Sequence, residues 1–319
     1  PPVFDETLIG RTFNGSYRIL SVLGQGTMGI VYKASHNTIQ RTTAIKILSG
    51  RFEGLGERLR FEREAQAMNL LDHPNLIKIH DFGITEHNVP FIIMEFVEGK
   101  PLSELLSTQG TLPPKQALPI FIDICKGLEH AHANAIVHRD LKPANIMISE
   151  DCAHAKIVDL GIAKFVSDEA SCLVLTSAGE IFGTPFYMSP EQATNKTLDQ
   201  RSDIFSLGCV FYEALTGDVP FTGDSFVDVT NAKMQGPRPS ICREFPLARF
   251  PMQLDRIIQT ALQVSPENRQ SSVTELKEQL IELQTTLEKG PVQNDLGPAK
   301  KFLRTLEVCL KGKNIFSKK

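Results

Sequence analysis

Reactive side chains are densest at residues 138–147, where a carboxylate, a lysine and an amide occur close together. Lys142 follows Asp140 by two positions and Asn145 follows it by five. This spacing suits a loop that joins a general base, a phosphate clamp and a metal ligand. Asp159 comes fourteen residues after Asn145, at the end of an apolar segment. Because Mg²⁺ prefers oxygen ligands, we expect Asn145 and Asp159 to bind one such ion together.

A glycine-rich turn near the start of the chain reads G-x-G-x-x-G-x-V over residues 24–31. Alone this motif is weak, because dinucleotide-binding folds open with the same glycine spacing. In those folds a helix follows the glycines, whereas here residues 30–34 have the β-branched pattern of a strand. A turn between two strands lets backbone N–H groups approach phosphates, so we expect a phosphate-binding loop.

Lys46 closes the apolar strand predicted at residues 42–48, and burying an unpaired ammonium group is costly. It therefore needs an anionic partner, unless it is a strand-end lysine that reaches solvent. A helix is predicted over 57–71, where apolar side chains recur at helical spacing. Glu64 falls on the inward edge of that helix, while Glu62 points away. We expect Glu64 to meet Lys46 and to leave the ammonium group aimed at phosphate oxygens.

The remaining patterns place these residues in two lobes. Strand-like segments dominate up to a hinge near residues 95–101, and helical patterns dominate after it. Residues 204–215 are apolar nearly all round, which predicts a helix buried inside a sizeable domain. We therefore expect an α+β fold with a small β-rich N-lobe and a larger α-helical C-lobe. The predicted divisions are an N-terminal extension (1–16), the N-lobe (17–97), the C-lobe (98–287) and a basic C-terminal tail (288–319).

The composition excludes several classes of protein. Apolar residues make up 41% and charged residues 22%, which is usual for a soluble globular domain and unlike collagen or low-complexity disorder. The net charge of −3 gives no basic excess, so no nucleic-acid partner is expected. The six cysteines are widely spaced without a C-x-x-C pair, which argues against a zinc site and fits a reducing compartment.

The two ends of the chain bear on its location. No signal peptide opens it and its longest apolar run is about half a membrane span, so we expect a cytoplasmic location. It begins Pro1-Pro2 rather than with Met, which suggests a piece of a longer protein and leaves a membrane segment outside it open. Residues 291–319 hold seven basic and two acidic residues. We expect a solvated extension there, with a site for acidic partners or lipid headgroups as the alternative.

The motifs above occur together in a characteristic order. The glycine loop, the A-I-K strand, the H-R-D-L-K-P-x-N loop and the D-x-G at Asp159 resemble those of eukaryotic-type (Hanks-type) protein kinases. The S-P-E at 189–191 resembles the A-P-E motif of that family, Asp203 its buried helix aspartate, and Arg269 the arginine that pairs with the motif's glutamate. The resemblance covers roughly residues 17–285 and is strongest to bacterial serine/threonine kinases.

Three positions depart from the family's usual residues without removing a group that the reaction needs. Leu160 stands where Phe is usual, which implies a retuned switch between active and inactive states. Ser189 replaces Ala, and Phe205 takes a position often occupied by Trp. Lys142 and Thr184 indicate the serine/threonine class, because tyrosine kinases usually lack that lysine.

The resemblance implies roles for the residues around the transferred group. Asp140 would accept or orient the proton of the substrate hydroxyl, and Lys142 would neutralise charge on the phosphoryl group. Thr184 resembles the threonine that bonds to both of them.

The same resemblance implies the nucleotide site. Glu64 would orient Lys46 toward the α- and β-phosphates of ATP. Asn145 and Asp159 would hold Mg²⁺, with Mn²⁺ as the alternative ion. The implied ATP-binding positions are Gly24, Gly26, Gly29, Val31, Ala44, Lys46, Met94, Glu95, Val97 and Met147.

The implied function is an ATP-dependent protein kinase that transfers the γ-phosphoryl group to serine or threonine hydroxyls of protein substrates. We also expect a second copy of the chain to phosphorylate Thr176 or, as the second choice, Ser177. This autophosphorylation requires self-association. Two alternatives stay open: a catalytically weak pseudokinase that binds partners as a scaffold, and a small-molecule kinase. The intact chemical positions disfavour the first. The resemblance of residues 183–191 to a peptide-docking platform disfavours the second.

Overall fold

The computed structural model of the protein describes residues 8–26, 29–52, 54–160 and 185–289. By its internal contacts the chain divides into two compact units, Pro1–Ile281 and Glu282–Lys319. The elements named below lie in the first unit, except for the end of the last helix. Among the described helices, none is both long and apolar enough to cross a membrane.

An antiparallel sheet forms the N-terminal part of the first unit. Its strands are β1 (Thr12–Phe13), β2 (Tyr17–Gly26), β3 (Gly29–His36), β4 (Thr42–Leu48), β5 (Ile79–Ile84) and β6 (Pro90–Glu95). They lie in the order β1-β2-β3-β4-β6-β5. Strands β4 and β6 are buried on both faces. Because successive side chains of a strand point to opposite faces, one face of the sheet carries a buried set of apolar residues. Ile19, Tyr32, Ile45 and Ile93 are at the centre of that buried set.

One helix packs on this sheet. Helix α1 (Leu55–Asn69) buries Phe61, Ala65 and Met68, which are the apolar stripe expected from the sequence. The Phe61 ring lies 5.5 Å from that of Phe52 and 6.1 Å from that of Phe82, measured between centroids. These contacts fix which face of α1 is turned inward, and therefore where its acidic side chains lie.

The rest of the described chain is mostly helical. Its helices are α2 (Leu102–Gln109), α3 (Pro114–Ala133), α4 (Pro190–Ala193), α5 (Gln200–Thr216), α6 (Phe226–Gln235), α7 (Ile241–Glu244), α8 (Met252–Ala261) and α9 (Val273–Glu288). Helix α5 is buried nearly all round, as predicted. It begins with Asp199, whose side chain accepts from the N–H of Arg201, and it ends at Gly217 in the left-handed conformation. The rings of Phe121 and Phe211 stack 3.8 Å apart between α3 and α5.

A short second sheet brings distant parts of the sequence together. It contains β7 (Lys100–Pro101), β8 (Ile146–Ile148) and β9 (Ala155–Ile157). Because β8 and β9 are antiparallel, the start of β8 lies beside the end of β9. Leu76 also bridges Ile157, and strand β5 of the first sheet begins only at Ile79.

Candidate active site

A buried aspartate fixes the loop that carries the reactive residues. Asp203 on α5 accepts from the backbone N–H of His138 at 2.8 Å and from that of Arg139 at 3.0 Å. Its carboxylate also lies 2.8 Å from Nε2 of His132. Burial alone would raise the pKa of Asp203, but the hydrogen bond and charge of His132 and the backbone donor of His138 keep it below its ordinary value. The loop therefore rests on a charged group that cannot move into solvent.

The predicted loop residues come together in the structure. Lys142 Nζ lies 2.9 Å from Oδ2 of Asp140. Asn145 Nδ2 donates to the backbone oxygen of Asp140 at 2.8 Å and lies 3.2 Å from its Oδ2. The Asp140 side chain keeps 18% of its surface exposed, so a solvent-side substrate can reach it. A carboxylate with a lysine and an amide in contact can orient a hydroxyl group and balance negative charge beside it.

Lys46 has a different partner from the one expected. Its Nζ lies 2.6 Å from Oδ2 of Asp159, and its side chain is 8% exposed. Glu64 is half-buried on α1, and within the described residues the ion pair of Lys46 joins it to Asp159 rather than to Glu64. The expectation that the ammonium group needs an anionic partner is confirmed. The choice of Glu64 does not match this structure, because Asp159 already neutralises the buried charge at close range.

The two candidate metal ligands lie at neighbouring strand ends. Asn145 directly precedes β8, Asp159 follows β9, and the N–H of Val158 donates to the carbonyl oxygen of Asn145 at 2.9 Å. Asn145 uses its Nδ2 on Asp140, which turns its amide oxygen to another side. An amide oxygen and a carboxylate are donors that suit a hard divalent cation, so this pair fits Mg²⁺ or Mn²⁺ by its chemistry.

The glycine loop lies at the edge of the sheet. Gly26 and Gly29 are paired residues of the β2–β3 hairpin, and Gly24 precedes them on β2. Gly29 has φ of 135°, and a Cβ there would lie 2.0 Å from the carbonyl oxygen of Ile47. This position therefore requires glycine both for its backbone conformation and for the close approach of β4.

The other expected nucleotide contacts lie on or beside the two sheets. Val31 is opposite Lys46, and Ala44 is opposite Met94, in the pairing of neighbouring strands. Met147 is half-buried on β8, and Val97 follows β6.

The side chain of Glu95, at the hinge, makes two hydrogen bonds that the sequence did not predict. Its Oε1 accepts from Nζ of Lys156 and from the backbone N–H of Lys78, both at 2.7 Å. Sequence reasoning missed Lys156, because one lysine on a short strand gives no signal of an acidic partner on the other sheet.

Residues 185–193 form a segment anchored from several sides. Arg269 donates to both carboxylate oxygens of Glu191, at 2.7 and 2.8 Å, and this predicted pair is confirmed. Burial alone would raise the pKa of Glu191, but Arg269 holds it below its ordinary value. Gln192 Nε2 donates to the carbonyl oxygen of Arg139 at 2.7 Å, a link to the Asp140 loop that sequence reasoning also missed. Thr184, together with Thr176 and Ser177, lies outside the described residues.

A family model described as "Protein kinase domain" matches residues 17–281. The chain belongs to the protein kinase family. It is 40% identical over 270 residues to the serine/threonine-protein kinase PknB of Mycobacterium leprae, and 39% identical over 271 residues to the serine/threonine-protein kinase PrkC of Bacillus subtilis. These matches cover 83% and 85% of this chain but only 42% and 41% of the relatives' own length. The sequence-based assignment to this family is thus confirmed.

The solved structures support the same fold. The kinase domain of PknI from Mycobacterium tuberculosis matches with a TM-score of 0.66 at 25% sequence identity. The match covers 86% of this chain and 98% of that one. The predicted fold, a β-rich N-lobe joined to a larger helical C-lobe, is confirmed.

Proposed function

We propose that this protein is an ATP-dependent serine/threonine protein kinase that transfers the γ-phosphoryl group to protein hydroxyls. The observation that carries the proposal is the contact of Asp140 with Lys142 and Asn145, in a chain whose relatives are named serine/threonine-protein kinases. A hydroxyl acceptor needs a carboxylate to orient its proton, and the transferred group needs cations beside it.

The proposed roles follow from the chemistry of each side chain. Asp140 orients the acceptor hydroxyl and takes its proton, while Lys142 balances charge on the transferred group. Thr184 is proposed to bond to both of them. Catalysis then depends mainly on positioning and electrostatic stabilisation, because phosphoryl transfer asks little covalent chemistry of the protein.

The nucleotide is proposed to bind between the glycine loop and the Asp140 loop. Lys46 binds phosphate oxygens, and Asn145 and Asp159 supply oxygen ligands to Mg²⁺. When bound, the cation neutralises phosphate charge. Since Lys46 and Asp159 are paired 2.6 Å apart, binding has to separate their charges between phosphate and cation. Glu64 is proposed as the partner that takes over Lys46 in that nucleotide-bound arrangement. The adenine and phosphate contacts are proposed at Gly24, Gly26, Gly29, Val31, Ala44, Met94, Glu95, Val97 and Met147.

A phosphoryl-transfer assay tests the function. The wild-type chain with ATP and Mg²⁺ should phosphorylate serine or threonine in casein and should leave small alcohols and sugars unmodified. Asp140→Asn should abolish transfer while retaining ATP binding, and Lys46→Met should reduce both transfer and ATP binding. Transfer to small acceptors alone would favour the small-molecule kinase, and ATP binding with no transfer would favour the scaffold. Near wild-type turnover in Asp140→Asn would refute the catalytic assignment.

Regulation is proposed to act through a second copy of the chain. Phosphate on Thr176, or on Ser177, is proposed to make a bidentate contact with the guanidinium of Arg139 and so to stabilise the segment before Glu191. Mass spectrometry after incubation with ATP and Mg²⁺ should find this phosphate in wild type and not in Asp140→Asn. Unchanged activity in the double variant Thr176→Ala/Ser177→Ala would contradict the switch.

We propose a cytoplasmic location for the domain, because its sparse, widely spaced cysteines fit a reducing compartment.

A further inference from the structure

A buried lysine contacts the backbone of residues 185–188, which lead into the short helix that is hydrogen-bonded to the Asp140 loop. Lys233 on α6 is 1% exposed, which is unusual for its residue type. Its ammonium group donates to the carbonyl oxygen of Met188 at 2.6 Å and to that of Pro185. The N–H of Met188 also donates to the Pro185 oxygen at 3.3 Å, so residues 185–188 form a turn. Lys233 donates hydrogen bonds to the first and last carbonyl oxygens of that turn.

Burying this ammonium group is unfavourable, because a charge loses its hydration there. Within the described part of the chain its hydrogen-bond acceptors are two carbonyl oxygens rather than a carboxylate, and the ring of Phe205 lies 5.7 Å away. Burial lowers the pKa of Lys233 to about 8, against a small opposing effect of Cys209. A methionine would fill the same volume without the cost of desolvating a charge. The presence of lysine therefore indicates that the two carbonyl contacts matter.

The turn that Lys233 closes is tied on its other side to helix α5. Tyr187 donates from its hydroxyl to Glu213 at 2.5 Å, and Ser206 donates to the carbonyl oxygen of Tyr187 at 2.8 Å. Residues 185–188 are thus held by both helices, and Lys233 provides the hydrogen bonds from α6. The turn leads directly into Ser189, which caps α4. The same short helix carries the Gln192 link to the Asp140 loop.

We propose that Lys233 is a positioning residue for the protein acceptor. By fixing the carbonyl groups of Pro185 and Met188, it shapes the surface on which the acceptor chain lies beside Asp140. The inference rests on the proposed protein-kinase function and on the interpretation of this segment as the docking platform. It assigns Lys233 an effect on acceptor binding and none on the nucleotide site, which lies on other elements.

Steady-state kinetics with ATP and casein test the inference. Lys233→Met keeps an unbranched side chain of similar volume and removes its donors, so it should raise the KM for casein by about tenfold or more, the loss expected for charge-assisted hydrogen bonds. The KM for ATP should stay at the wild-type value. Lys233→Gln keeps an N–H donor on a shorter chain and should give a KM for casein between those of wild type and Lys233→Met.

Val229→Ala is the matched control. Val229 is fully buried on the same helix, and its truncation weakens the packing of α6 without removing a hydrogen-bond donor. A merely structural role for Lys233 predicts that Val229→Ala and Lys233→Met raise the KM for casein alike, and that result would overturn the proposal. A wild-type KM for casein in both Lys233 variants would do the same.

If Lys233→Met does not fold, Lys233→Gln decides alone, with a raised KM for casein and an unchanged KM for ATP supporting the proposal and two unchanged constants refuting it. Failure of the protein-kinase function itself would be recognised earlier, because the wild-type chain would then transfer no phosphate to casein.

Discussion

Replacing Arg269 by methionine should destabilise the fold strongly. The Arg269 side chain is fully buried and binds both carboxylate oxygens of Glu191. Its remaining donors reach backbone oxygens on three sides, those of Arg201, Gln263 and Val264. Arg269→Met would leave the Glu191 carboxylate buried without its counter-ion. Breaking a buried pair from one side costs about 3–5 kcal/mol, a large part of the roughly 5–15 kcal/mol that stabilises a domain.

Thermal and urea unfolding measure this loss. At about 2 °C for each kcal/mol in a domain of this size, Tm should fall by roughly 6–10 °C. Arg201→Met is the matched control, because Arg201 pairs with Asp199 at 2.7 Å on a surface where both side chains are substantially exposed. Its loss should cost at most about 1 kcal/mol.

A double-mutant cycle with Glu191→Gln isolates the pair. If the two single losses in free energy of unfolding simply add, Arg269 stabilises the fold through its carbonyl contacts and not through Glu191. If Arg269→Met is no less stable than Arg201→Met, the buried pair is not a stabilising feature, and the reasoning from burial fails.

Three other predictions concern acid, metal and the tail. Burial would raise the pKa values of Asp203 and Glu191, but His132 and Arg269 hold them below their ordinary values. In acid the unfolded chain therefore binds more protons than the folded one. The contribution of these two carboxylates to the free energy of unfolding is fully present above about pH 5 and should be lost as the pH falls through their folded-state pKa values. Urea titrations between neutral and acid pH check this, and an equal acid loss in Asp203→Asn would contradict it. EDTA should stop phosphoryl transfer and Mg²⁺ should restore it, because Asn145 and Asp159 offer oxygen ligands; activity that survives chelation would exclude that role. Deleting residues 291–319 should leave casein phosphorylation and Tm unchanged, since every motif precedes them, and a chain that no longer folds would show that the tail packs on the domain.

The sequence predicted those parts of the site that are local. Asp140, Lys142 and Asn145 lie within one short loop, so their spacing alone brought them together. The stripe of α1 was likewise readable, because helical geometry fixes which side chains share a face. The family and the two-lobed fold followed from the order of such local motifs.

Contacts between distant elements were not predictable in the same way. The sequence indicated that Lys46 needs an anion, but the choice between Glu64 and Asp159 depends on how α1 is placed against the strand, which no local pattern encodes. Lys233 gave no signal at all, because its acceptors are backbone carbonyl groups and every residue has one.

Helix α5 contacts both the Asp140 loop and the segment that we propose receives the protein acceptor, and this has a mechanical consequence. Near its start Asp203 accepts from the backbone of residues 138–139, and Ser206, about one turn later, donates to the carbonyl oxygen of Tyr187. Near its end Glu213 accepts from the hydroxyl of Tyr187. A rigid displacement of the helix within the lobe would move both attachment points together, so the separation between the Asp140 loop and Tyr187 would hardly change. Stretching or bending the helix would change that separation directly. The two backbone attachments, at Asp203 and Ser206, are therefore only about 4.5 Å apart along the helix, and Glu213 holds the Tyr187 hydroxyl about 10 Å further on.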